Sequence, residues 1–314
     1  MMGMIGRPSR GGFALVAVLW IVVGMSALAL AGGLAAREAV ASSRNRADGA
    51  DAAWRAEGCL ERARAAVAEA LRAPGSELPG LTVWARMDRI IAESNLLAGT
   101  GCDVRLRAAG AALDVNMVPE DGLRRFLRAA GARESAVDSL ADALADWRDE
   151  DATPRPLGAE AAWYAANGLR APRNGPLADG REVLYVRGWN RLPGIDSLLT
   201  VDPGRVPLNH APAAVLAALP GFSMEAAARL GEMRMRGDAV RDLAAFPGSL
   251  SPGARDEILR RYPEFVAAAT VEPDAWIVQA RVGVGTPPAV SVVEVLLVRA
   301  AARAAVVRRR TWTE

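Results

Sequence analysis

No lysine occurs anywhere in the 314 residues, so every fixed side-chain cation is an arginine. With alanine so abundant, we read this as genome composition and attach no function to it. Histidine occurs once, at His210, and cysteine twice, at Cys59 and Cys102. That scarcity excludes the familiar zinc ligand sets and speaks against a Ser-His-Asp or Cys-His site. No nucleophile–base pair and no phosphate loop is found, so the chain reads as a non-enzyme. A net charge of +2 supplies no strong general attraction to nucleic acid.

One stretch lacks charge altogether. Phe13 to Ala36 is uninterrupted apolar or small sequence, bracketed by Arg10 and Arg37. At a helical rise of about 1.5 Å per residue, roughly twenty such residues span a bilayer core. Arg7 and Arg10 precede the run, which keeps the short N-terminus cytoplasmic and sends the rest across. A cleavable secretory signal shares the basic start and apolar core, though its apolar region is normally about 7–15 residues. An ordinary single-span anchor is the other competing reading.

The junction Arg10-Gly11-Gly12-Phe13-Ala14-Leu15-Val16 resembles the cut site of type IV prepilins and type II secretion pseudopilins. In that family a prepilin peptidase removes the leader after the glycine and N-methylates the new terminus. The resemblance assigns those roles to Gly12 and Phe13. Most members carry glutamate as the fifth residue after the cut, where this chain has Ala17. A carboxylate inside the bilayer costs about 2.5–3.5 kcal/mol unless paired. In the filament its partner is the terminal amine of the subunit above. A subunit with nothing above it does better with an apolar residue, which suits the minor pseudopilin K family.

Helical signal continues from Arg37 to Arg72 without proline, with Leu60, Ala63, Val67 and Leu71 on one stripe. Pro74, Gly75, Pro79 and Gly80 break it. Trp84 to Leu97 reads as a short helix, and Cys102, Val104 and Leu106 alternate with charged residues as a strand. Two cysteines in an exported region are compatible with one Cys59–Cys102 disulfide, and also with two separate buried thiols. Their placement, late in a helix and at the opening of a strand, favours the bond. Near the C-terminus Trp276–Val284, Val290–Arg299 and Ala304–Trp312 predict a three-stranded antiparallel meander.

Between these parts lies an internal repeat. Leu113-Asp114-Val115-Asn116-Met117-Val118-Pro119 returns as Val206-Pro207-Leu208-Asn209-His210-Ala211-Pro212. Each copy reads as strand, turn and helix, with proline in the first helical turn and Asn satisfying nearby turn or helix-start amides. The second copy, with Leu219-Pro220-Gly221, also resembles a helix-hairpin-helix element. A membrane-tethered DNA-binding protein is therefore the alternative, although Glu225, Glu232, Asp238 and Asp242 offset the local arginines and no nucleic acid is expected.

The most distinctive block runs Asp146-Trp147-Arg148-Asp149-Glu150-Asp151, Pro154-Arg155-Pro156, Gly158-Ala159-Glu160 and Trp163-Tyr164. It closely resembles the pseudopilin K pattern, which extends through Asn174, Pro176 and Leu177. Carboxylates at alternating loop positions, with another about nine residues on, can converge on a hard cation such as calcium. Asp149, Asp151 and Glu160 are the candidate ligands, and Asp146 is expected to cap or pair locally. The resemblance also implies calcium, although the acidic residue often found after G-A-E is Ala161 here. The competing reading is a solvated acidic helix end paired with Arg148 and Arg155. Trp147, Trp163 and Tyr164 are core under either.

The resemblance implies an α+β fold: a pilin-like long N-terminal helix packed on an antiparallel sheet, with a large inserted α-helical domain. The expected organisation is a leader at 1–12, a membrane part at 13–36 and pilin-like sequence at 37–110. The insertion with both repeats occupies 111–265, and the pilin-like strands resume at 266–314. The implied function is structural, at the tip of the type II secretion pseudopilus. Implied partners are minor pseudopilins I and J, the major pseudopilin and the prepilin peptidase, with the chain anchored once in the bacterial inner membrane and mostly periplasmic.

Overall fold

The computed structural model describes residues 11–73, 82–97, 100–301 and 303–314. Arg7, Arg10 and the helix-breaking group Pro74, Gly75, Pro79 and Gly80 lie outside the described residues.

The first helix, α1, runs Gly11–Arg72. It has two different halves. Leu15, Leu19, Trp20, Ile21, Leu28, Leu30 and Leu34 are all exposed, covered by nothing among the described residues. Further along, Ala52, Ala56, Cys59, Leu60, Ala63, Ala66 and Val67 are buried at three- and four-residue steps. The alanines in that stripe let a sheet approach the helix axis closely. A 3₁₀ turn at Trp84–Arg86 leads into α2 (Met87–Ala92), which buries Met87 and Ile91.

Strand β1 is Asp103–Ala108. After it the chain leaves the sheet and returns only much later. The excursion begins with β2 (Leu113–Asp114), α3 (Glu120–Ala129), α4 (Glu134–Arg148) and α5 (Ala161–Ala166), and closes on β3 (Leu199–Thr200). It begins again with β4 (Val206–Pro207), α6 (Ala213–Ala217), α7 (Met224–Met235), α8 (Pro252–Arg260) and α9 (Tyr262–Ala268), closing on β5 (Ala269–Thr270). Then β6 (Ala275–Val284), β7 (Ala289–Ala300) and β8 (Arg303–Thr313) complete an antiparallel sheet of order β1-β6-β7-β8.

The period-two pattern decides which face meets α1. Trp276, Val278, Ala280, Val293, Val295 and Leu297 join the α1 stripe in one apolar core. The indole N–H of Trp84 donates to Pro273 O at 2.8 Å, and that of Trp276 donates to Trp84 O at 2.9 Å. Cys59 and Cys102 form a disulfide, with Cα atoms 5.5 Å apart, tying α1 to the start of β1. This is an α+β architecture.

The excursion has its own core, built on Phe126, Leu144, Trp147, Tyr164, Trp189, Leu216, Leu219, Phe222 and Phe265. Its two copies are built alike. β2 pairs parallel with β3, and β4 pairs parallel with β5. Val115 N donates to Thr200 O at 3.0 Å, and Leu208 N donates to Thr270 O at 2.9 Å. The copies meet where α3 crosses α6: a Cβ at Gly122 would lie 2.8 Å from Ala218 O, so only glycine allows the approach.

The repeated asparagines correct one expectation. They do not satisfy helix-start amides. Asn116 accepts from Leu177 N at 2.9 Å and donates to Leu177 O at 3.0 Å. Asn209 accepts from Val240 N and donates to Val240 O, both at 2.9 Å. A side-chain amide has one donor face and one acceptor face, the complement of one peptide unit in an extended chain. Each asparagine therefore clamps a distant irregular segment onto its turn.

Candidate metal centre

The site is built where α4 ends. Asp142 and Asp146, four residues apart, lie on one face of α4 and receive the loop that follows. Leu157 N donates to Asp142 at 3.2 Å, and Arg155 N donates to Asp146 at 3.2 Å. A Cβ at Gly158 would lie 1.9 Å from an Asp146 carboxylate oxygen, which fixes glycine there. Asp146 is fully buried and pairs locally, as its place in the pattern predicts. Its carboxyl is pushed up, first by desolvation.

That folded-back loop brings Asp149, Asp151 and Glu160 together. One ligand oxygen from each lies within 4.8 Å of the others. Asp149 follows the last turn of α4, and Glu160 stands at the N-cap of α5, so two of the three are set by helix ends. Asp151 sits on the exposed loop and accepts from Thr153 N at 2.7 Å.

Glu160 is 5% exposed, and neither of its carboxylate oxygens has a hydrogen-bond partner. One oxygen of Asp149 is likewise buried and unpartnered. Burial raises the Asp149 carboxyl, with the Asp151 charge adding to it. Burial also raises Glu160, followed by the charges of Asp146 and Asp149. Leaving a buried carboxylate unsatisfied costs the desolvation of the group. Three converging oxygens with unused lone pairs fit a hard divalent cation, whose 6–8 ligands can be completed by loop carbonyls and water.

The arginines expected to neutralise the cluster are engaged elsewhere. Arg148 donates to Val115 O at 2.6 Å, and Arg155 pairs with Glu120 and, at 3.8 Å, with Asp146 rather than with the three converging carboxylates. Of the aromatic residues, Trp147 and Tyr164 are fully buried and touch edge to face with centroids 5.2 Å apart. Trp163 is only half-buried, and its ring stacks under the Arg187 guanidinium, 4.8 Å away. A cation over an indole keeps one face of the ring near water, so Trp163 packs at the edge of the core rather than inside it.

The other sequence-predicted residues are elsewhere in the chain. Gly12, Phe13 and Ala17 all fall in the opening turns of α1. The Leu219-Pro220-Gly221 hairpin is turned inward: Gly221 has φ +67°, and a Cβ there would lie 2.5 Å from Glu257 O on α8. Asp142 and Asn174 were missed as parts of the carboxylate site. The four-residue spacing of Asp142 from Asp146 was the available signal.

Among the described residues one helix is long and apolar enough to cross a membrane, and its apolar window is unburied. Residues 104–192 match the family described as type II secretion system (T2SS), protein K. The matched segment includes the whole acidic block and the first copy of the repeat. The fold is also similar to a chain of the crystal structure of the GspK-GspI-GspJ complex from the enterotoxigenic Escherichia coli type 2 secretion system. That similarity has a TM-score of 0.60 at 17% identity and covers 86% of this chain and 99% of that chain. No curated protein matches the sequence.

Proposed function

We propose that this protein belongs to the protein K family and is a structural minor pseudopilin at the tip of the type II secretion pseudopilus. There it initiates or caps filament assembly for protein export across the outer membrane. The observation that carries this reading is the divided α1. Its first half is a bare apolar helix, and its second half is the core of a folded body. Such a helix is stable only when lipid or other helices cover it, which is the condition of a filament stem anchored in a membrane. Ala17 suits a subunit with none stacked above it.

In this reading the chain crosses the inner membrane once and holds its body in the periplasm. Prepilin peptidase cuts after Gly12 and methylates Phe13. Pseudopilins I and J are its neighbours at the tip, by analogy with the E. coli assembly, and the major pseudopilin follows below. Asp149, Asp151 and Glu160 hold calcium, which supplies charge neutralisation to the loop and fixes its shape. The test is the N-terminal mass of the protein from cells with and without a working prepilin peptidase. A chain beginning at N-methylated Phe13 only when the peptidase is present supports the assignment. Retention of Met1, or cutting near Ala36 regardless of the peptidase, overturns it.

A further inference from the structure

We propose that Asn174 is a positioning residue for the carboxylate site, acting through the backbone of Asp151. This rests on the cation reading above. Glu160 supplies the independent sign of a ligand there, because it is nine-tenths buried with both oxygens unpartnered.

The three carboxylates are unequally held. Asp149 and Glu160 are fixed by the ends of α4 and α5, whereas Asp151 rides on an exposed loop. The Asn174 side-chain N–H donates to Asp151 O at 2.8 Å, across 23 residues of sequence. Asn174 itself has φ +50°, in the left-handed region that few residues other than glycine adopt. Asparagine is among those that tolerate it. That backbone turn aims its amide at the loop.

The segment carrying Asn174 is itself anchored. Three residues on, Leu177 is gripped by the double hydrogen bond from Asn116. Ala178 N donates to Glu182 at 3.0 Å, and Glu182 also accepts from the Trp147 indole at 3.2 Å. A chain of contacts therefore runs from the first repeat turn through Leu177 and Asn174 to Asp151. In the second copy the Asn209 clamp ends at Val240. In the first copy the same device is extended by one more asparagine to reach the acidic loop. Asn174 holds the third ligand at the spacing that the two helix ends set.

The test uses the full chain in detergent micelles. Calcium is titrated calorimetrically, and terbium luminescence is sensitised through the nearby tryptophans. Asn174→Gly keeps the left-handed backbone and removes the donor; Asn174→Ala removes both. Both variants should weaken calcium about three- to tenfold, the worth of one hydrogen bond. The melting temperature in chelator should be unchanged for Asn174→Gly. Glu160→Gln should abolish uptake. Wild-type affinity in Asn174→Gly overturns the positioning role and leaves the cation site standing. Failure of the wild type to take up calcium, or undiminished uptake by Glu160→Gln, removes the cation site and this inference with it. Should Asn174→Ala fold poorly, Asn174→Gly decides alone.

Discussion

The body around α1 and the excursion between β1 and β6 solve the same problem with different means. Each must hold irregular backbone against a core. The body uses extended pairing, a helix stripe of small residues and one covalent tie, Cys59–Cys102. The excursion has ladders only two residues long, and it depends on side chains that grip backbone: Asn116, Asn209, Asp142 and Asp146. Long ladders satisfy peptide groups in bulk, so a body built on them needs few special residues. Short ladders leave most peptide groups to be satisfied one at a time. Individual polar residues then become indispensable, and a ligand can be built from them.

The sharpest way to break this comparison is to remove the covalent tie. The disulfide closes a loop with a sequence separation of 43. In the chain-entropy account, losing a loop of that size costs about 4 kcal/mol. The double variant Cys59→Ser/Cys102→Ser should lose that much in denaturant unfolding of the full chain. Hydrogen exchange should rise in the second half of α1 and in β1, with the excursion spared. Equal loosening of both regions would show that they unfold as one unit.

Next in size are the two clamps. Asn116→Ala and Asn209→Ala each leave one peptide N–H and one C=O without their partner, a loss of about 2–3 kcal/mol. Their effects on stability should match. Their effects on calcium should not, because only Asn116 holds the segment that reaches Asp151. Calcium titration of both variants decides this; equal weakening would mean that the link from Leu177 to Asp151 carries nothing.

A pair of glycines sharpens the contrast further. Gly221→Ala puts a Cβ against Glu257 O at a positive φ and should cost about 2 kcal/mol without touching calcium. Gly158→Ala displaces the buried Asp146 carboxylate, so its main effect should be loss of calcium uptake rather than of melting temperature. Thermal melts in calcium and in chelator separate the two effects.

What the sequence reveals follows the same division. The body was legible because its elements are long. The stripe from Leu60 to Val67 and the alternation from Trp276 to Val284 each repeat often enough to declare a period. In the excursion, the alternating spacing and the resemblance of the acidic block together named Asp149, Asp151 and Glu160. The asparagine roles were illegible, since their partners Leu177 and Val240 lie 61 and 31 residues away. β3 and β5 are too short to show a period. Their kinship stands in the sequence all the same: Leu199-Thr200-Val201-Asp202 is echoed by Ala269-Thr270-Val271-Glu272.

The smallest expected effect is the dependence on pH, and its sign is specific. Asp149 and Glu160 have raised carboxyls, chiefly from burial. A raised folded-state pKa means that stability is fully present below the unfolded value, about 4, and is lost as pH rises through the folded value. In chelator these two groups should therefore weaken the excursion as pH climbs from about 4 toward neutrality. Asp121 works the other way. Arg125 and then Arg261 hold it well below the usual carboxylate range, so its contribution is present at neutral pH and lost only in stronger acid. Calcium competes with the protons on Asp149 and Glu160, which cancels the loss. The gap between melting temperatures in calcium and in chelator should thus widen from pH 4 to pH 7. Burial also raises Glu294 on β7, but that group contributes equally in calcium and in chelator, so the gap between the two reports the excursion. A gap that stays flat with pH would mean that the buried carboxylates are not where calcium acts.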